Sequence, residues 1–199
     1  MAVEETRAAP TATVPAIADP APLGLGAFAL TTFLLSAKNA RWTDGGDAWL
    51  TYALAYGGLV QLLAGMWEFR NRNVFGATAF STYAGFWIGL GLYGMFLGPK
   101  SPNELNDLAW ILLAFAIFNT YMVLWSLWAN TAVFLVFLAL EATLVILFLG
   151  FFAANDSVIK LGGWFGVVTA IGAWYASAAG VINGMAGRPV LKVGSPMRS

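Results

Sequence analysis

Apolar positions along this chain fall into long blocks instead of alternating with polar ones. Six windows, roughly 22–38, 48–67, 76–97, 106–128, 131–153 and 158–183, are nearly free of charge. Each approaches the about 20 residues that a helix needs to cross a bilayer at 1.5 Å per residue. Short polar breaks separate them: Asn39 to Asp47, Glu68 to Phe75, Gly98 to Leu105, the pair Ala129 and Asn130, and Ala154 to Ser157. The fourth break carries no charge. A single helix running through it would exceed roughly 45 residues, against the ~17–25 of one span, so the break is kept. The pattern predicts an all-α membrane protein with six transmembrane helices.

Composition agrees and narrows the chemistry. The 199 residues are 59% hydrophobic, 15% aromatic and 10% charged, with a mean hydropathy of +0.73. A soluble domain carries about 25% charged residues. Nine Trp, 15 Phe and 22 Gly suit a helical bundle in lipid. The chain has no Cys and no His, which removes disulfides, thiolate metal sites, haem ligands and the usual general base. No cofactor, no metal and no enzymatic activity are expected. Net charge is zero and no basic run points to nucleic acid.

Residues 1–18, rich in Ala, Pro and Thr, read as a disordered N-terminal tail; they lack the basic start and apolar middle of a signal peptide. Residues 19–187 form one membrane domain, and 188–199, with Pro189 and Pro196, a C-terminal tail. Six spans put both termini on one side, with Arg7, Arg70, Arg72, Arg188, Lys192 and Arg198, against Lys38, Arg41, Lys100 and Lys160 opposite. That bias places both termini in the cytoplasm. Acidic residues Asp44, Asp47, Glu104, Asp107 and Asp156 gather on the outer side.

Small residues recur at close-packing spacing in Ala53/Gly57, Gly85/Gly89 and Gly162/Gly166/Ala170. Gln61, Asn119 and Ser177 lie within spans two, four and six, and Phe28, Tyr83 and Leu140 within spans one, three and five, each set at intervals of about 57 residues. Three pseudo-repeated helical hairpins around a pore would produce that spacing.

The segment Asp19-Pro20-Ala21-Pro22-Leu23-Gly24-Leu25 resembles the signature that opens the first span of the acetate uptake transporter family, the succinate–acetate permeases. That family usually has Asn where this chain has Asp19. A longer block is similar too: Tyr56-Gly57-Gly58, Gln61, Ala64-Gly65, Trp67-Glu68, Asn73, Phe75-Gly76, Ala79-Phe80, Tyr83 and Phe86-Trp87. The resemblance covers residues 19–184. It implies a six-span protomer assembled as a homo-hexamer in the cell membrane, with one pore per protomer. It implies uptake of acetate, with succinate and other short carboxylates as further substrates and protons as the coupled partner. An anion channel without proton coupling stays open, as does a neutral-solute channel of the urea and amide type.

The resemblance also suggests roles for residues. Phe28, Tyr83 and Leu140 match the family's pore constriction, and their helices run the same way, so they differ in depth by only about 5 Å. An apolar ring excludes hydrated inorganic ions by dewetting while a methyl group passes; the Tyr83 hydroxyl is a candidate contact for the carboxylate. Gln61 matches a pore position, and Thr31, Thr32 and Asn119 are further candidate donors, although in a bundle such groups also bond neighbouring helices or their own backbone. The helix start at Asp19 to Leu25 is a candidate anion site, because a helix N-terminus offers free N–H groups. Asp19 brings a negative charge there, so either it turns aside to cap its helix or the site is shifted. Glu141, near the middle of span five, is a candidate for proton coupling or for a structural hydrogen bond. Glu68 is a candidate gate or a solvated helix-end charge.

Overall fold

The computed structural model describes residues 17–43 and 47–198. The tail expected over residues 1–18 lies almost wholly outside them, as do Arg7 and Asp44. Among the described residues six helices follow one another: α1 (Ala21–Asn39), α2 (Ala48–Arg70), α3 (Val74–Leu92, continued by a π-helical turn at Tyr93–Leu97), α4 (Glu104–Trp125, closed by a 3-10 turn at Ser126–Trp128), α5 (Thr131–Phe152) and α6 (Asp156–Ala186). Each window read from hydrophobicity matches one of them to within a turn. Five are long and apolar enough to cross a membrane. The sixth, α3, is not among these five; it carries Gly76, Thr78, Ser81, Thr82, Gly85, Gly89 and Gly91.

The uncharged break between α4 and α5 has a local cause. Ala129 is extended, and the Asn130 side chain caps α5 by accepting from the Val133 N–H at 3.0 Å. Asn73 and Asn155 cap α3 and α6 in the same way.

Short connections make neighbours antiparallel, so α1, α3 and α5 run in one direction. The packing forms a closed arrangement in which α1 lies along α6, α6 on α5, α5 on α4, and α2 joins α3 to α1. Small residues set these approaches. A Cβ at Gly163 would collide with the Ala40 backbone, and one at Gly166 with Ser36, so α6 rests directly on α1. A Cβ at Gly57 would stand 2.7 Å from Thr31 and 2.8 Å from Trp87, wedging α2 away from α1 and α3. Gly85 and Gly89 meet nothing and face outward.

In the middle of α2, Ala53–Val60 is π-helical. Such a stretch rotates the succeeding turns about the axis relative to a regular helix, and Gln61 is the first residue after it. On the side away from the termini, Lys38 pairs with Asp47 at 2.6 Å and Arg41 pairs with Asp156, tying the end of α1 to the start of α6. On the terminus side, residues 188–198 carry no helix but lie against the bundle. The Asn183 side chain holds the backbone of Val190 and Leu191, the Tyr175 hydroxyl donates to the Lys192 carbonyl at 2.6 Å, and the Ala132 N–H donates to the Val193 carbonyl at 2.9 Å.

Candidate functional site

A chain of cavities runs through the bundle from one mouth to the other. On the terminus side a vestibule of about 410 Å³ is lined by Asp19, Asn71, Asn73, Phe80, Trp128 and Phe137, among others. Leu25, Ala79, Phe80 and Phe137 are shared between it and a cavity of about 20 Å³, to which Gln61 also contributes. Further in lies a cavity of about 40 Å³ lined by Thr32, Ser36, Asn39 and Thr143. It shares Leu35, Asn39, Leu112 and Leu147 with a mouth of about 230 Å³ that opens beside Lys38, Arg41 and Glu104.

The two small cavities share three side chains: Phe28, Tyr83 and Leu140. These come from α1, α3 and α5, the three helices that run the same way, and are 5%, 3% and 5% exposed. Phe28 meets Tyr83 edge to face with ring centroids 5.6 Å apart. Phe115 and Phe118 of α4 back the Tyr83 ring at 6.0 and 5.5 Å. The spaces on either side hold about one water each by volume, so the passage is shut at this ring.

Three residues that line the small cavities carry a buried polar atom without a partner: Gln61 (Oε1) on the terminus side, and Thr32 (Oγ1) and Trp87 (Nε1) on the other. Buried polar groups are normally bonded, and these three beside the constriction are not. Thr31 is turned elsewhere; its hydroxyl donates to the Ala27 carbonyl at 3.1 Å and reaches that of Tyr52 at 3.5 Å.

Asn119 lies behind the ring. The Tyr83 hydroxyl donates to Asn119 Oδ1 at 2.7 Å, and Asn119 Nδ2 donates to the Phe137 carbonyl at 3.0 Å and to Glu141 Oε2 at 2.8 Å. The contact anticipated between the Tyr83 hydroxyl and a carboxylate in the passage is therefore not what the geometry offers: the ring faces the passage and the hydroxyl points away. Glu141 is half-buried and takes a second bond from Thr120 at 3.0 Å.

At the start of α1 the donors are occupied. Asp19 Oδ1 accepts from the Ala21 N–H at 3.0 Å, Pro20 and Pro22 have no N–H, and the Leu23 and Gly24 N–H groups reach the Pro20 carbonyl at 3.1 Å. The segment Asp19-Pro20-Ala21-Pro22-Leu23-Gly24-Leu25 thus presents a carboxylate and a closed helix start to the vestibule. Glu68, at the end of α2, is fully buried instead of solvated. Its Oε2 accepts from Asn71 at 3.0 Å, its Oε1 has no partner, and it lies against Gly76. Ser36, Asn39, Asn71, Asn73 and Asn130 line the passage or its vestibule although the sequence marks none of them as a site candidate. As helix-end or small polar residues they read as punctuation between spans.

These features define an all-helical membrane protein with a centrally occluded passage through one chain, apolar at its middle and partly polar at its mouths. Comparison with known proteins gives the family: the sequence pattern described as the GPR1/FUN34/yaaH family matches residues 4–193, and the chain belongs to that family. It is 43% identical over 185 residues to acetate permease A of Emericella nidulans, covering 83% of this chain and 62% of that one. It is 34% identical over 183 residues to the succinate-acetate/proton symporter SatP of Escherichia coli (strain K12), covering 89% of this chain and 96% of that one. The chain thus spans about three fifths of the fungal relative and nearly all of the bacterial one. Among solved structures, the bacterial acetate channel SatP superposes with a TM-score of 0.85 at 32% identity, covering 90% of this chain and 100% of that one.

Proposed function

We propose that this protein is a membrane transporter that moves acetate, and other short carboxylates such as succinate, through one passage per chain. The observation that carries this reading is the meeting of two small cavities at Phe28, Tyr83 and Leu140 alone, with Gln61 and Thr32 holding free polar atoms on either side. The names of the acetate permease, the symporter and the acetate channel support the substrate class.

The chemistry is set by the ring. Acetate, with a pKa near the ~4.3 of Glu, is almost wholly anionic at neutral pH. Passing the ring strips its water, which an apolar constriction makes costly for inorganic ions and tolerable for a group with a methyl end. Gln61 and Thr32 replace part of the lost hydration. In this reading α3 is the sixth span, residues 19–187 are the transport domain, both termini are cytoplasmic at the plasma membrane, and six copies assemble as a hexamer, each with its own passage.

Uptake is proton-coupled, with Glu68 the nearer candidate to the vestibule and Glu141 the farther. A channel without coupling is the second reading, favoured by the channel description of the superposed structure. Labelled-acetate flux into liposomes, with pH gradient and voltage set independently, separates them. Flux that tracks the proton gradient supports coupling; flux that tracks voltage alone supports the channel. No flux from folded protein overturns both.

A further inference from the structure

One side chain behind the ring bonds one of its three members and braces the helix that carries a second. Asn119 of α4 bonds the Tyr83 hydroxyl of α3 and the Phe137 carbonyl of α5, one turn before Leu140. Asn119 is fully buried, so these bonds have no competition from water. The orientation of its amide is dictated by its neighbours. The Phe137 carbonyl and Glu141 Oε2 are both acceptors and together use both Nδ2 hydrogens. Asn119 Oδ1 must therefore face Tyr83, and the Tyr83 hydroxyl must be the donor. Its proton is committed behind the ring, and the passage meets only the apolar body of the tyrosine.

Glu141 anchors this relay. It sits half-buried on α5, with its other oxygen bonded to the hydroxyl of exposed Thr120 on α4. The relay runs from the outer surface of the α4–α5 pair, through Glu141 and Asn119, to the constriction. We propose that Asn119, oriented by Glu141, is a positioning residue that sets the selectivity of the passage by pinning the Tyr83 ring and keeping its hydroxyl proton out of the permeant's path. The proposal rests on the transport reading above. It assigns Glu141 to orientation of the amide, apart from any part in moving protons.

Without an acceptor at position 141, the amide keeps only its bond to the Phe137 carbonyl and is held at one point instead of two. The Tyr83 hydroxyl bonded to it then leaves more readily, its proton becomes available to the passage, and the ring is held less tightly. A permeant with a hydroxyl next to its carboxylate, such as lactate, gains most from a polar and looser constriction.

The test is the ratio of lactate to acetate flux in liposomes, with monodisperse elution and melting temperature as controls for folding. E141L and N119A are expected to raise the ratio roughly fivefold, the factor that accompanies loss of one neutral hydrogen bond. E141Q, which keeps an acceptor oxygen, is expected to stay at the wild-type ratio, a rescue that bulk loss of packing would not produce. In a Y83F background, which has no hydroxyl to turn, E141L is expected to add nothing. L140A, which widens the ring directly, serves as the reference. If L140A raises the ratio while folded E141L leaves it unchanged, or if the effect of E141L persists in Y83F, the relay is overturned and the transport reading stands. If folded wild-type protein carries no acetate, both fall. Should N119A fail to fold, E141L, E141Q and Y83F decide the question.

Discussion

At the scale of single residues, the passage is governed by what its side chains leave unsatisfied. Gln61 is 1% exposed and its Oε1 has no partner, a cost that a folded core ordinarily avoids. Replacing it with Leu removes that cost and takes away the group that meets the carboxylate. Q61L is therefore expected to be at least as stable as the wild type yet to lose acetate flux by roughly tenfold or more, the factor for a hydrogen bond to a charged group. Melting temperature and labelled-acetate uptake on the same preparation check both halves. L140A acts in the opposite sense: it removes bulk from the ring and is expected to raise the rates of larger monocarboxylates relative to acetate, read from paired uptake assays. The ring residues stand out through the family resemblance, with which their shared depth on parallel helices agrees; residue type and spacing alone do not single out Phe28, Tyr83 and Leu140. The rotation of α4 could not be read from the sequence. Its lipid-facing and protein-facing sides are both apolar, so no stripe reveals which way Asn119 points, and a polar residue aimed behind the ring reads the same as one aimed into the passage. The burial of Glu68 escaped for a related reason: its partner Asn71 lies in the turn that brings Gly76, at the start of α3, against it, and only the fold supplies the path of that turn.

At the scale of helices, hydrophobic blocks located all six because a segment that must satisfy its own backbone in lipid has little choice but to be helical. Their ends were less legible. The α4–α5 break depends on one cap, and N130A is expected to cost about 1 kcal/mol, lowering the melting temperature by about 2–4 °C for a chain of this size. Flux should survive, since Asn130 lines only the wide vestibule. The π-helical stretch in α2 left no trace in the hydrophobic pattern, because it changes the rotation of Gln61 and not the apolar character of the segment. Glycines divide by position in a way that spacing alone does not reveal. Gly163 lies against the α1 backbone at Ala40, whereas Gly85 has open space beside it. G163A is expected to lower the melting temperature by several degrees, because backbone cannot yield as a flexible side chain does, while G85A leaves it within a degree or so of wild type.

At the scale of the whole molecule, residues 188–198 lie where the passage begins. Residues 188–198 cross the terminus side, held by Asn183, Tyr175 and the Ala132 N–H, and finish with the Met197 and Arg198 N–H groups on the Leu127 carbonyl. Arg198 rests over the Trp128 ring, a wall of the vestibule, at 5.4 Å. These bonds join the strap of residues 188–198 to α6 at Tyr175 and Asn183, to the start of α5 and to the end of α4, and none reaches Phe28, Tyr83, Leu140, Gln61 or Thr32. The strap therefore fastens the mouth without forming the route. Removing residues 189–199 frees Asn183 and Tyr175 to bond water, so the loss in stability is the net worth of the bonds and not the larger penalty of buried orphans. The shortened protein is expected to melt several degrees lower and to keep its lactate to acetate ratio, because selectivity is set at the ring. Its absolute acetate flux should stay within about twofold, a mouth of roughly 400 Å³ being far too wide to limit passage compared with a ring that leaves room for about one water. A changed ratio in the truncated protein would mean that the strap reaches the constriction through α5, and selectivity would then belong to the bundle as a whole instead of to three side chains and the amide behind them.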